Sequence, residues 1–198
     1  MLSNLLVIFF ILVSLLYFYI YKKQAKKFEK KLVDCKKEFD AFIMQDLLTG
    51  VGNRNYAKIS LGHELSQAKR HDYPLSLVLM DIDCFKDINQ KHTHEKGDEI
   101  LIEYSKLISE VIREGDIFCR ISGDEFLLIL PDDSLDDARK TAEKIRMTIQ
   151  MHQQYIPVSM TFGVIEYNKN NTEEENFQRL QSAHTKAKQE DVDCIQMA

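Results

Sequence analysis

Asp81 and Asp83 follow directly on the apolar run Leu75 to Met80, and Asp124 and Glu125 follow the turn Ser122 and Gly123 between two further apolar runs. Adjacent carboxylates where a buried strand begins repel each other and lose solvation, so they call for a compensating positive charge, most simply a divalent metal. A carboxylate at the end of a central strand, opposite an acidic hairpin tip, is how polymerase-like sites hold two magnesium ions. Plainer roles exist for each cluster alone: an acidic tip can be solvated, and Asp81 or Asp83 can cap the next turn. The presence of both clusters is what points to phosphate chemistry.

These residues must be positioned by a sheet. Ile117 to Pro131 carries the signature of a β-hairpin. Leu75, Leu77, Val78, Leu79 and Met80 read as a strand buried on both faces. Asn53 is a natural N-cap for a helix running to about Arg70. Gly97 to Ile112 is amphipathic, with Ile100, Leu101, Tyr104, Leu107 and Ile108 on its buried side. A helix from about Leu135 to His152, a strand around Pro157 to Tyr167 and a helix from about Glu173 to Gln189 complete the order. Helix, strand, helix, hairpin, helix, strand, helix predicts an α/β sandwich with a central, mainly antiparallel sheet flanked by helices.

Three linked stretches carry a resemblance. DLLTGVGNR at 46 to 54, DIDCFKDINQKHTHEKGD at 81 to 98 and SGDEF at 122 to 126 together resemble the GGDEF family of diguanylate cyclases, in the family's order and spacing. The resemblance covers about Asp46 to Lys188 and implies the palm-like fold of nucleotidyl cyclases. It implies that Asp81, Asp124 and the backbone carbonyl of Ile82 bind Mg²⁺, two ions per GTP site with Mn²⁺ a possible substitute. Glu125 would be the second acidic residue of the signature, binding metal or helping to deprotonate the attacking hydroxyl. Asn89 and Asp98 match the positions that hydrogen-bond the guanine edge. Phe85, Lys86 and Lys188 match positions that meet the phosphates. Each domain would hold one GTP, and the 3′-hydroxyl of one would attack the α-phosphate of the other, which makes a homodimer the active unit. Arg113 and Asp116, an RxxD ending shortly before Ser122, match the family's inhibitory site for the product cyclic di-GMP. Lys144 stands where a second arginine is frequent there and lacks the bidentate fork. A solvated helix end is the plainer alternative for the RxxD, and its position before the hairpin favours the product site.

The chain also departs from the family pattern. Ser122 replaces the first signature glycine, at a cost of roughly 1 to 2 kcal/mol if that position needs φ > 0. Gln90 and Thr93 replace the Asp and Gly of NDxxGH. The closing ALYxAKxxGR is here AHTKAKQEDV, so Lys188 survives while the phosphate-binding arginine position is Val192. Two readings stay open: a diguanylate cyclase, or a degenerate relative that binds GTP or cyclic di-GMP without turning it over. A third is that GTP and metal serve a different nucleotide product.

Outside the motifs, Leu2 to Tyr21 is uncharged and almost wholly apolar over the length needed to cross a bilayer, and predicts one N-terminal transmembrane helix. Eight lysines between Lys22 and Lys37, against Glu29 and Asp34, place the rest of the chain in the cytoplasm by the positive-inside rule. Those lysines also suit anionic inner-membrane lipid. Ala25, Phe28, Leu32, Cys35, Phe39 and Phe42 recur as a short heptad seam, which suggests a parallel coiled coil or a single amphipathic helix. The chain thus divides into an anchor (1–21), a basic signalling helix (22–45) and a catalytic domain (46–198). The net charge of −5 gives no sign of nucleic-acid binding. The four scattered cysteines favour free thiols over disulfides or zinc.

Overall fold

The computed structural model describes residues 14–15, 17–32, 44–152, 156–190 and 193–198. Residues 1–42 and 43–198 form two separate compact units. In the first, residues 17–32 are helical, with Phe28 and Leu32 largely exposed. Most of the predicted transmembrane stretch and the second half of the heptad seam lie outside the described residues. Among the described residues, no helix is long and apolar enough to cross a membrane.

The second unit is built on a five-stranded sheet. Strand β1 (Leu75–Ile82) is central, with β3 (Glu125–Pro131) on one side and β4 (Met160–Glu166) on the other. Strand β2 (Ile117–Ser122) forms the edge beside β3, and β5 (Ile195–Met197) lies beyond β4. The β1, β2, β3 and β4 pairings are antiparallel and only β5 runs parallel to its neighbour. Every residue of β1 is buried, as its unbroken apolar run requires.

Five helices cover the sheet: α1 (Arg54–His71), α2 (Phe85–Lys91), α3 (His94–Val111), α4 (Leu135–Met151) and α5 (Glu173–Glu190). Alternation along β1 divides the core in two. Val78, Met80 and Ile82 pack with residues of α3 and α4, whereas Leu75, Leu77 and Leu79 pack with residues of α1 and α5. Side-chain caps set the starts of α1, α3 and α4. The Asn53 side chain accepts from the amides of Asn55 and Tyr56, and Ser134 accepts from Asp137. Thr93 accepts from the Lys96 amide, which starts α3 three residues ahead of the expected Gly97. The threonine that departs from NDxxGH therefore serves as an N-cap.

The entrance motif is tied to the hairpin. Asp46 accepts from both the amide and hydroxyl of Thr49, and Arg120 Nη1 donates to it at 3.0 Å. Burial pushes the Asp46 carboxyl up, but these hydrogen bonds and the Arg120 charge outweigh it and hold the pKa below the usual value.

At Gly163 in β4 the backbone of α5 comes close against the sheet. A Cβ at this position would lie 2.5 Å from the backbone nitrogen of His184, so only glycine permits the approach. Gly163→Ala is expected to cost about 3 kcal/mol in overpacking. Exposed Gly62 in α1 has open space around it, and Gly62→Ala is expected to add about 0.5 to 1 kcal/mol. Urea denaturation of the two variants should move the midpoint in opposite directions.

Candidate active site

Asp81 is the point where three strands and a helix meet. It sits near the end of β1, opposite Glu125 of β3 and Thr161 of β4, so all three share one face of the sheet. Only 3% of Asp81 is exposed. Its Oδ1 lies 3.1 Å from Nε2 of His184, and its Oδ2 receives the ammonium of Lys188. Both partners come from α5, four residues apart and hence on one helix face.

Asp124 occupies the hairpin turn and joins Asp81 in lining a cleft of about 310 Å³. Ile82, Phe85, Lys86, Thr161 and Lys188 line it too. Burial pushes the Asp124 carboxyl above its ordinary pKa, and the charge of Asp81 adds to the shift against the opposing pull of Lys188. For Lys188, burial acts to lower the pKa, but the hydrogen bond and charge of Asp81, with Asp124 and Glu125, raise it overall. The cleft is thus an accumulation of negative charge, with Lys188 paired to Asp81 and Lys86 also on its wall.

Glu125 takes a different position. It does not line the cleft; its Oε2 accepts from the Ser122 hydroxyl at 2.7 Å. Ser122 itself ends β2 without a positive φ, so the strain expected from replacing the signature glycine does not arise. A bulge between Arg120 and Ser122 and the left-handed Gly123 turn the chain instead, and Arg120 Nε donates to the Gly123 carbonyl at 2.7 Å.

Asp83 has a structural task. Its carboxylate accepts from the hydroxyls of Ser159 and Thr161, each at 2.6 Å, and from the Asp193 amide at 2.9 Å. The chain then passes through Cys84, at φ 54, into α2. Phe85 and Lys86 open that helix, where the first amides have no intrahelical acceptor. Asn89, one turn further, packs its Oδ1 over Gly97 of α3, where any Cβ would collide with it. That oxygen is buried and without a hydrogen-bond partner, a state that a donor on a bound ligand would relieve. Asp98, the next residue of α3, is exposed. Asn89 and Asp98 therefore stand beyond the cleft, at the α2–α3 junction.

Arg113 and Asp116 lie elsewhere, lining a separate cleft of about 230 Å³ with Lys140, Thr141 and Lys144. Arg113 Nη1 donates to buried Asp133 at 2.9 Å, and its amide donates to Asp116. Lys144 Nζ donates to the Val111 carbonyl at 3.0 Å. Burial pushes the Asp116 carboxyl above its usual pKa, and the charge of Asp133 adds to the shift. Val192 is outside the described residues.

These positions match a known family. The family model described as "Diguanylate cyclase, GGDEF domain" matches residues 43–193. The chain belongs to the GGDEF family. It is 37% identical over 126 residues to the response regulator PleD of Caulobacter vibrioides, a match covering 60% of this chain and 28% of that protein. It is 32% identical over 157 residues to the diguanylate cyclase DgcS of Shewanella oneidensis, covering 78% of this chain and 53% of the relative. The chain thus spans only about a quarter to a half of the length of these relatives. Among solved structures, the active GGEEF domain of a diguanylate cyclase from Vibrio cholerae superposes with a TM-score of 0.69 at 30% identity, over 73% of this chain and 96% of that one. The coiled coil and GGDEF domain of DgcB from Caulobacter crescentus gives a TM-score of 0.84 at 19% identity, over 88% of this chain and 96% of that one, a likeness of fold.

The donor set suits the divalent cation that the GGDEF family implies. Among the described residues no three His, Cys, Asp or Glu side chains are grouped as a complete metal cage. Two carboxylates converging on an open cleft are nevertheless what Mg²⁺ uses, since it takes one or two protein carboxylates and completes its shell with phosphates and water. Asp81, Asp124 and the Ile82 carbonyl would hold it. When bound, it would polarise phosphoryl oxygens and lower the pKa of a coordinated hydroxyl.

Sequence reasoning missed His184, Thr161 and the fastening role of Asp83. The i, i+4 pair His184 and Lys188 was the available signal, but their partner Asp81 is 103 residues from His184 in sequence.

The raised Asp124 pKa has a consequence for stability. A carboxyl whose folded pKa lies above its unfolded value stabilises the fold below the unfolded pKa and loses that contribution as pH rises through the folded pKa. In EDTA at pH 7, Asp124→Asn is therefore expected to melt a few degrees above the wild type. Near pH 3 the gain should vanish, because Asp124 is then protonated, and thermal melts across this range will check it.

Proposed function

We propose that this protein is a diguanylate cyclase that condenses two GTP into cyclic di-GMP and pyrophosphate. The observation that carries the reading is the pairing of Asp81 and Asp124 across β1 and the hairpin turn, in one cleft with the start of α2. Asp81, Asp124 and the Ile82 carbonyl would bind Mg²⁺. Lys188, Lys86 and the first amides of α2 would hold the triphosphate, and Asn89 and Asp98 would read the guanine edge, whose N1 and N2 donors a carboxylate and an amide oxygen can accept. Loss of either contact would leave polar groups unpaired, which is how such a site rejects adenine. Glu125, in register with Asp81, would steer the 3′-hydroxyl towards deprotonation.

Because each domain would supply one GTP, the active unit is a homodimer. Its assembly would be assisted by a coiled coil through residues 22–45. The apolar stretch 2–21 and the lysines after it support a single-pass anchor in the cytoplasmic membrane, with the catalytic domain in the cytoplasm and lysines near anionic lipid. The Arg113 and Asp116 cleft is the candidate site for product feedback. Its Lys144 would bind phosphate as a point charge, so inhibition should be weak. Regulated binding without turnover is the second reading, favoured by Val192 at the position where the family motif carries arginine.

Incubation of the purified protein with GTP and Mg²⁺ should yield cyclic di-GMP by mass spectrometry. Asp124→Ala should reduce the rate at least about a hundredfold, the loss of a few kcal/mol of charge stabilisation at the phosphoryl group. Folded wild type that binds GTP and forms no product would sink the cyclase in favour of the binding module. A dimeric active unit further requires that the rate per chain rise with protein concentration, as parallel rate and light-scattering measurements will show.

A further inference from the structure

We propose that His184 is a positioning residue for the cation-binding carboxylate: by donating from Nε2 to Oδ1 of Asp81 it fixes the orientation in which Asp81 presents Oδ2 to a divalent cation. The inference rests on the reading of Asp81 as a metal ligand and adds a residue that the GGDEF motifs do not contain. In the closing motif ALYxAK this position is leucine, and here it is His184.

The geometry is specific. His184 is 5% exposed and lies on the buried face of α5 among Leu180, Ala183 and Ala187. A polar ring in such a position costs stability unless it is hydrogen-bonded. Its Nε2 is 3.1 Å from Asp81 Oδ1, and since an ionised carboxylate only accepts, Nε2 must carry the proton. Gly163 lets the helix backbone at His184 settle against β4, so the ring is delivered from a fixed base.

The two partners of Asp81 are not equivalent. Lys188 reaches Oδ2 on a long stem, and its side chain is 47% exposed, so it can withdraw when a cation and phosphates arrive. The His184 side chain is only 6% exposed and has no such freedom. One oxygen of Asp81 is therefore permanently occupied by a rigid donor, while the other carries an exchangeable cation. Partners of this kind, one bond removed from the metal, orient the ligand and tune its affinity.

The test compares wild type, His184→Leu and His184→Gln. Leucine restores the family residue and removes the donor, while the glutamine amide can reproduce a donor near the Nε2 position. Free Mn²⁺ is followed by electron paramagnetic resonance during titration of each protein with 3′-deoxy-GTP, which binds without condensing. His184→Leu should weaken Mn²⁺ binding on the order of tenfold, with His184→Gln within about twofold of wild type. Circular dichroism melts of the three proteins confirm that folded species are compared. Equal Mn²⁺ affinity in wild type and the leucine variant, or a glutamine variant no better than leucine, overturns the inference. Wild type that makes no cyclic di-GMP while the leucine variant still loses Mn²⁺ overturns the cyclase reading and leaves this inference standing. Active wild type with a leucine variant of undiminished Mn²⁺ affinity does the reverse.

Discussion

The accumulation of negative charge at the end of a fully buried strand governs this molecule. Burying the Asp81 carboxylate there without partners would cost several kcal/mol. The fold supplies those partners from a single helix, with His184 on one oxygen and Lys188 on the other. The sheet order follows from the same need. Placing β1 in the centre brings the Asp124 turn from one side and Thr161 of β4 from the other to the same strand end. Burial, with the charge of Asp81 beside it, pushes the Asp124 carboxyl above its ordinary pKa. Strain of this kind is characteristic of sites built to bind, rather than of sites built for stability.

Two carboxylates only two residues apart illustrate how position decides function. Asp81 faces α5 and the cleft. Asp83 has both oxygens engaged, by Ser159, Thr161 and the Asp193 amide. The second carboxylate thereby fastens the end of β1 to the start of β4 and to the C-terminal segment. It fixes the point from which Cys84 turns the chain into α2, and hence where the first amides of that helix stand. The placement of Asp81 therefore depends on a neighbour in the same cleft whose carboxylate is already committed to three hydrogen bonds.

Much of this was legible in the sequence because the signals were local. The unbroken apolar run of β1, the Asn53 cap and the hairpin flanking Ser122 and Gly123 each depend on a few contiguous residues, and the three motifs sit on them. What was not legible depended on distance or on very short elements. The helix Phe85–Lys91 has seven residues and β5 has three, too few to show a period. The roles of His184 and Asp83 rest on contacts across 103 and 110 residues. Ser122 is instructive in the other direction. The motif suggested a strained glycine position, but the bulge after Arg120 moves the left-handed turn to Gly123 and leaves serine free to bond Glu125.

The closing segment shows that a motif can lose its charge and keep its mechanical role. Val192 stands where the family motif carries arginine, so that position has no charge to offer. The segment is nonetheless held by an ion pair and several hydrogen bonds. The Asp193 amide donates to Asp83, its carboxylate accepts from Arg146 of α4 at 2.6 Å, and the Cys194 carbonyl accepts from Phe162 of β4. These bonds tie the C-terminal strand to the loop that carries the cleft and to the helix that carries Lys140 and Lys144. They hold the end of β1 and the loop after it in place, and with them the shape of the cleft that Lys188 and Lys86 line.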